Sequence, residues 1–160
     1  MPTQTSDTGT PQEGLCACVD PDEERFDAYD ADGCGWGPCA TIQASDDEVL
    51  DVKPLDCALD LLISGTPGVV HFEHEEYDGY NRYGGFVRVD ADRRGLSRTS
   101  KQEDLGCSVG PFEIIELKPA DYFADCKAMP DPWDRFVCLR DWKQAALGEA
   151  CAEGYDCSSP

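Results

Sequence analysis

The sequence predicts an α+β fold: an antiparallel meander of three to four strands packed with two to three helices and stapled by disulfides. Three observations carry that expectation. A hairpin pattern runs from Gly68 to Asp90, a helical apolar stripe precedes it, and ten cysteines are spread over 160 residues. A chain of this length suffices for one compact domain with its own core and is short for two. Cysteines at this density and in even number belong with an oxidising compartment, where complete pairing is the default. The expected bridge-formers are Cys16, Cys18, Cys34, Cys39, Cys57, Cys107, Cys126, Cys138, Cys151 and Cys157. Spacing leaves their connectivity open.

Residues 1–14 are rich in Thr, Ser, Pro, Gly and acid, and cannot bury enough surface to order. The expected organisation is a disordered tether over 1–14 and one stapled domain over 15–160, with 15–45 a loop-rich subregion held by bridges. Within that subregion Arg25–Asp30 alternates as a short strand would, and GCGWGPC makes a tight irregular loop. The first strong helix is Pro54–Ser64. Proline suits the first turn, Leu55, Ala58, Leu59 and Leu62 form one face, and Gly65 and Pro67 end it.

The hairpin follows. Val69–Tyr77 alternates two faces, Asp78-Gly79 is a turn pair, and Phe86–Asp90 supplies the partner strand. Tyr80–Tyr83 lengthen the expected loop, and Gly84-Gly85 suggest a bulge. Leu96–Thr99 is a weaker third strand and Phe112–Leu117 a stronger fourth. Ala120–Ala128 forms a short helix between two prolines. Asp131-Pro132 then pairs an N-cap with an N1 proline and opens a helix expected to run to about Ala146. Cys126 and Cys138 are placed to clamp these two helices, and Cys151 and Cys157 to pin the tail.

The runs CALDLLISGTPG, YGGFVRV, LKPADYFADC and DPWDRFVCL, over about residues 55–140, resemble a group of small cysteine-rich surface lipoproteins from predatory soil and marine bacteria. The composition of residues 1–14 is similar to the tether that follows the lipid-modified cysteine of bacterial surface lipoproteins. The resemblance implies an extracellular or cell-surface location, including the bacterial periplasm or outer membrane, and a lipid anchor upstream. It implies no activity.

Charge narrows the partners. Thirteen basic against 33 acidic residues give a net charge of −20, which repels a phosphate backbone and argues against nucleic-acid binding. Most of that charge is expected to be a solvated surface that keeps the protein soluble. No stretch approaches the ~20 apolar residues of a transmembrane helix.

The candidate chemistry is sparse. His71 and His74 sit among carboxylates, but on a strand a spacing of three sends them to opposite faces. They read as exposed polar residues of an edge strand. His71 and Glu73, which share a face, are too few for a zinc site. Cys16, Cys18, Cys34 and Cys39 have spacings at or beyond the margin of zinc-ribbon patterns, so bridges account for them better. Asp27, Asp30, Asp32 and Gly33 suggest a calcium loop, but Ala28 and Cys39 fall where that template needs Asp and Glu. No phosphate loop or nucleophile elbow is present, and no cofactor is implied.

The best candidate is the hairpin tip, Tyr77, Tyr80, Asn81, Arg82 and Tyr83, because these residue types at an exposed loop favour recognition of a protein or surface ligand. The expected function is therefore a secreted or surface-tethered binding or structural module, with no catalytic activity evident. A calcium- or zinc-binding module is the alternative and an extracellular hydrolase the third reading.

Overall fold

The fold is α+β. The computed structural model describes residues 11–19, 34–35, 37–104 and 106–156. In chain order its elements are α1 (Pro11–Cys16), β1 (Ile42–Ser45), β2 (Glu48–Val49), α2 (Val52–Ser64), β3 (Gly68–Glu76), β4 (Asn81–Asp90), β5 (Arg94–Glu103), β6 (Gly106–Val109), β7 (Glu113–Leu117), α3 (Ala120–Lys127), α4 (Pro132–Arg140), β8 (Lys143–Ala146) and β9 (Tyr155–Asp156). The possible strand at Arg25–Asp30, the calcium-loop residues and Cys157 lie outside the described residues.

Strands β3, β4 and β5 form the expected meander, but the sheet is larger than three or four strands. It runs β2-β1-β3-β4-β5 and then forks along β5. The start of β5 pairs with β7, and its end, Ser100–Glu103, pairs with β6. Arg98 stands between the two branches. Its Nε donates to the Gly110 carbonyl at 2.8 Å, and its guanidinium lies 3.7 Å from the Phe112 ring centroid. One buried side chain thus braces both branches.

The hairpin register is unbroken from Gly68 opposite Val89 to Glu76 opposite Asn81, with no bulge. Gly84 and Gly85 are ordinary ladder residues for a packing reason. A Cβ on Gly85 would lie 2.6 Å from the Phe72 ring and 3.1 Å from the Thr99 methyl, so the missing side chain lets Phe72 cross the sheet. Tyr77, Asp78 and Gly79 take positive φ of 53°, 56° and 86°. That left-handed run closes the turn over residues 77–80 and leaves Asn81–Tyr83 in β4, where a longer loop was expected.

Opposite faces of the sheet carry separate cores. On one face Ile42, Phe72, Val87, Val89 and Ile115 pack beneath α2, α3 and α4. On the other, Val69, Phe86, Leu96 and Ile114 pack with Leu15 of α1 and Cys34. Helix α1 begins at Pro11, inside the segment whose composition suggests a tether.

Helix α2 follows its sequence signals. Leu55, Ala58, Leu59 and Leu62 are fully buried, and Gly65, at φ 71°, donates its N–H to the Leu61 carbonyl. It starts two residues before Pro54 because the Asp51 carboxylate accepts from the Lys53 N–H at 3.0 Å. Asp131 caps α4 in the same way through the Trp133 N–H.

Helix α4 ends at Arg140, well short of Ala146. Trp142 turns inward, 3 % exposed, and its indole donates to the Ser97 hydroxyl. Residues Lys143–Ala146 then pair with β7 as an edge strand. Burying an indole and satisfying its N–H outweighs another turn of helix.

Four bridges are defined: Cys16–Cys151, Cys18–Cys34, Cys39–Cys57 and Cys126–Cys138. Cys107 is also disulfide-bonded, so every described cysteine is paired. The Cys126–Cys138 bridge clamps α3 to α4, Cys39–Cys57 anchors α2, and Cys16–Cys151 fastens α1 to the C-terminal region.

Candidate functional site

The structure divides the five tip residues among different environments. Tyr77 and Tyr80 project from the turn, 70 % and 61 % exposed. Arg82 points to the opposite face of the sheet from Tyr83 and lies 3.8 Å from the Glu75 carboxylate. Asn81 is half-buried in the ladder opposite Glu76. Tyr83 leans inward, its ring stacked on His74 at 5.5 Å and its hydroxyl donating to Glu103 at 2.9 Å. Only Tyr77 and Tyr80 therefore form an outward aromatic pair.

Neighbouring turns fix that pair. The Asp46 carboxylate, on the β1–β2 turn, accepts the Tyr77 N–H at 3.0 Å. The Tyr80 hydroxyl donates to Asp104 at 2.6 Å, and that carboxylate pushes its pKa upward through the hydrogen bond and then the charge. Tyr83 is pushed up to about 12, first by burial and then by Glu103 and Glu76. The tip is thus two exposed rings in an acidic rim of Asp46, Glu75, Glu76, Asp78, Glu103 and Asp104.

His74 supports the tip from below. This side chain is 4 % exposed, because β3 lies inside the sheet between β1 and β4. Its Nε2–H donates to the Asp46 carbonyl at 2.7 Å, leaving Nδ1 as the acceptor facing Arg140 Nη1 at 3.4 Å. Trp133 and Phe136 complete its enclosure, with ring centroids at 5.1 and 6.1 Å. The histidine thereby ties the β1–β2 turn, the hairpin and α4 together.

His71, 3 % exposed, lies on the other face, stacked on Phe86 at 5.7 Å. The expectation of exposed edge-strand histidines is thus corrected for both residues. Burial lowers the His71 pKa, partly opposed by a hydrogen bond to the Gly35 backbone. A lowered folded pKa means that the unfolded chain takes up this proton first. The contribution is complete above the ordinary histidine value and is lost as pH falls below it. We expect the melting temperature to fall between about pH 7 and 5, with a shallower fall in His71→Gln. Parallel slopes for parent and variant would refute that assignment.

The His74 nitrogens face a carbonyl and a guanidinium, so neither is aligned to activate a hydroxyl or thiol. Cys16, Cys18, Cys34 and Cys39 are oxidised in bridges, which removes the four-thiolate zinc arrangement. Among the described residues no group of three or more His, Cys, Asp or Glu could hold a metal ion. Sequence reasoning missed Arg140, Trp133 and Asp46 as parts of this assembly. Asp46-Asp47 is a turn signal, but nothing local places that turn beside Tyr77.

No protein family matches the chain, and neither a curated protein nor a solved structure matches it. Among the described residues no helix is long and apolar enough to cross a membrane.

Proposed function

We propose that this chain is a secreted or surface-tethered binding module whose contact surface is the hairpin tip. The observation that carries the reading is the pair Tyr77 and Tyr80, exposed on a turn whose backbone is fixed by Asp46 and by the hairpin ladder. Large aromatic side chains held on a rigid turn supply contact area at low entropic cost. The acidic rim favours a protein or surface ligand presenting basic groups, which can also sit over the tyrosine faces. Closed disulfides fit an oxidising exterior, and the lipoprotein resemblance supports attachment to a cell surface.

The test is retention of partners from culture medium and envelope extract on the immobilised protein. The parent is expected to retain a partner that salt releases, and Tyr77→Ala/Tyr80→Ala to retain none. Equal retention by both proteins would remove the tip from the contact surface.

A further inference from the structure

A cleft of about 590 Å³ lies on the helix-bearing face of the sheet, beyond the point where α4 stops. Tyr83, Thr99, Lys101 and Ser108 line its floor, and Val137 and Arg140 its wall. Thr99 stands opposite Gly85 in the ladder, and Lys101 opposite both Tyr83 and Ser108. Helix α4 ends at Arg140, two residues before Trp142 turns inward, and among the described residues no helix covers this part of the sheet. The volume falls in the ~300–1,000 Å³ range of small-molecule sites.

Arg140 is held firmly in that wall. Its guanidinium centre lies 5.0 Å from the Phe72 ring centroid and 5.3 Å from that of Phe136. One Nη faces His74 Nδ1. Its other N–H groups have no protein partner among the described residues, although the chain carries 33 acidic residues against 13 basic. Lys101 forms no ion pair there either. By contrast Lys118, Lys127, Arg135 and Lys143 each pair with a carboxylate. Glu76 acts on this half-buried guanidinium through its charge, without an ion pair among the described residues, and a directly bound anion would further offset the desolvation cost.

Asp141 also lines the cleft, and Glu76 and Glu103 lie near it beside Tyr83. Asp141 is held in an ion pair with Lys118 at 2.6 Å, and Glu103 accepts the Tyr83 hydroxyl at 2.9 Å. A planar fork of donors matches a carboxylate, while a net charge of −20 disfavours a dianion such as phosphate. The apolar surface beside the fork comes from Phe72 and Val137. We propose that this cleft binds a small apolar carboxylate, with Arg140 and Lys101 holding the carboxylate and Phe72 and Val137 flanking the apolar part.

Calorimetric titration of the whole chain with N-acetyl-leucine and N-acetyl-phenylalanine, each against its primary amide and against inorganic phosphate, tests the assignment. The acids are expected to bind at least about tenfold more tightly than the amides and than phosphate. Lys101→Glu is expected to weaken the acids about tenfold without moving the melt, since Lys101 is exposed and makes no ion pair among the described residues. Arg140→Met keeps an apolar stem between the rings and is expected to abolish acid binding.

Equal binding of acid and amide, tighter binding of phosphate, or no binding of either acid would overturn the proposal. If Arg140→Met does not fold, Lys101→Glu still decides: undiminished affinity there also overturns it. Tyr77→Ala/Tyr80→Ala is expected to bind the acids normally, so this site and the tip stand or fall separately.

Discussion

In excess reductant at neutral pH, the near-UV dichroism and the cooperative thermal transition of this protein are expected to disappear together. Three bridges close loops with sequence separations of 16, 18 and 12, each contributing about 3 kcal/mol in the chain-entropy account. The fourth, Cys16–Cys151, spans a separation of 135 and encloses the other three. Nesting shortens its effective loop, so the sum is an upper bound. That sum is nevertheless comparable with the ~5–15 kcal/mol that separates folded from unfolded states of ordinary domains. Intact mass after alkylation without reduction is expected to show no added groups. A reduced protein that keeps its melt would mean that the two apolar cores hold the fold unaided.

Phe136→Ala is expected to cost about 3–5 kcal/mol, lowering the melting temperature by roughly 6–20 °C. The ring is fully buried and touches the rings of Phe72, Trp133 and His74 as well as the Arg140 guanidinium. Its removal leaves a cavity beneath the residues that position the tip and wall the cleft. Denaturant unfolding should show a lower midpoint with an unchanged slope. A loss below about 1 kcal/mol would mean that the α4 contact is loosely packed.

Local signals made part of this fold legible. The Leu55 stripe, the Asp78-Gly79 turn and the Asp131-Pro132 cap each act over a few residues, and each formed where the sequence places it. What stayed hidden depends on pairing across the chain. Strand β1 is four residues long, and its parallel partner β3 begins after an intervening helix. That one pairing turns the histidine strand from an edge into the interior and buries both rings. Trp142 falls three residues after Leu139, so its helical spacing is genuine. Its burial site, however, is Ser97 on a distant strand, and that attraction ends the helix.

The site was legible to a similar degree. Tyr77 and Tyr80 are exposed at the tip as turn chemistry implies, whereas Tyr83, only three residues further, belongs to the packing around His74. Alternation along β4 separates Arg82 from both neighbours. Arg140 gives no signal in sequence, since a basic residue in a last helical turn is commonplace. Its significance comes from the rings on either side and from the cleft it walls.

If the exposed tyrosines serve contact rather than folding, the thermal melt of Tyr77→Ala/Tyr80→Ala should match that of the parent. Alanine meets the same left-handed backbone at position 77 as tyrosine does, so the turn itself should be little changed. The expected midpoint lies within about 2 °C of the parent, as for other surface substitutions. A midpoint many degrees lower, with loss of near-UV dichroism, would make the two rings part of the core and remove them from the contact surface.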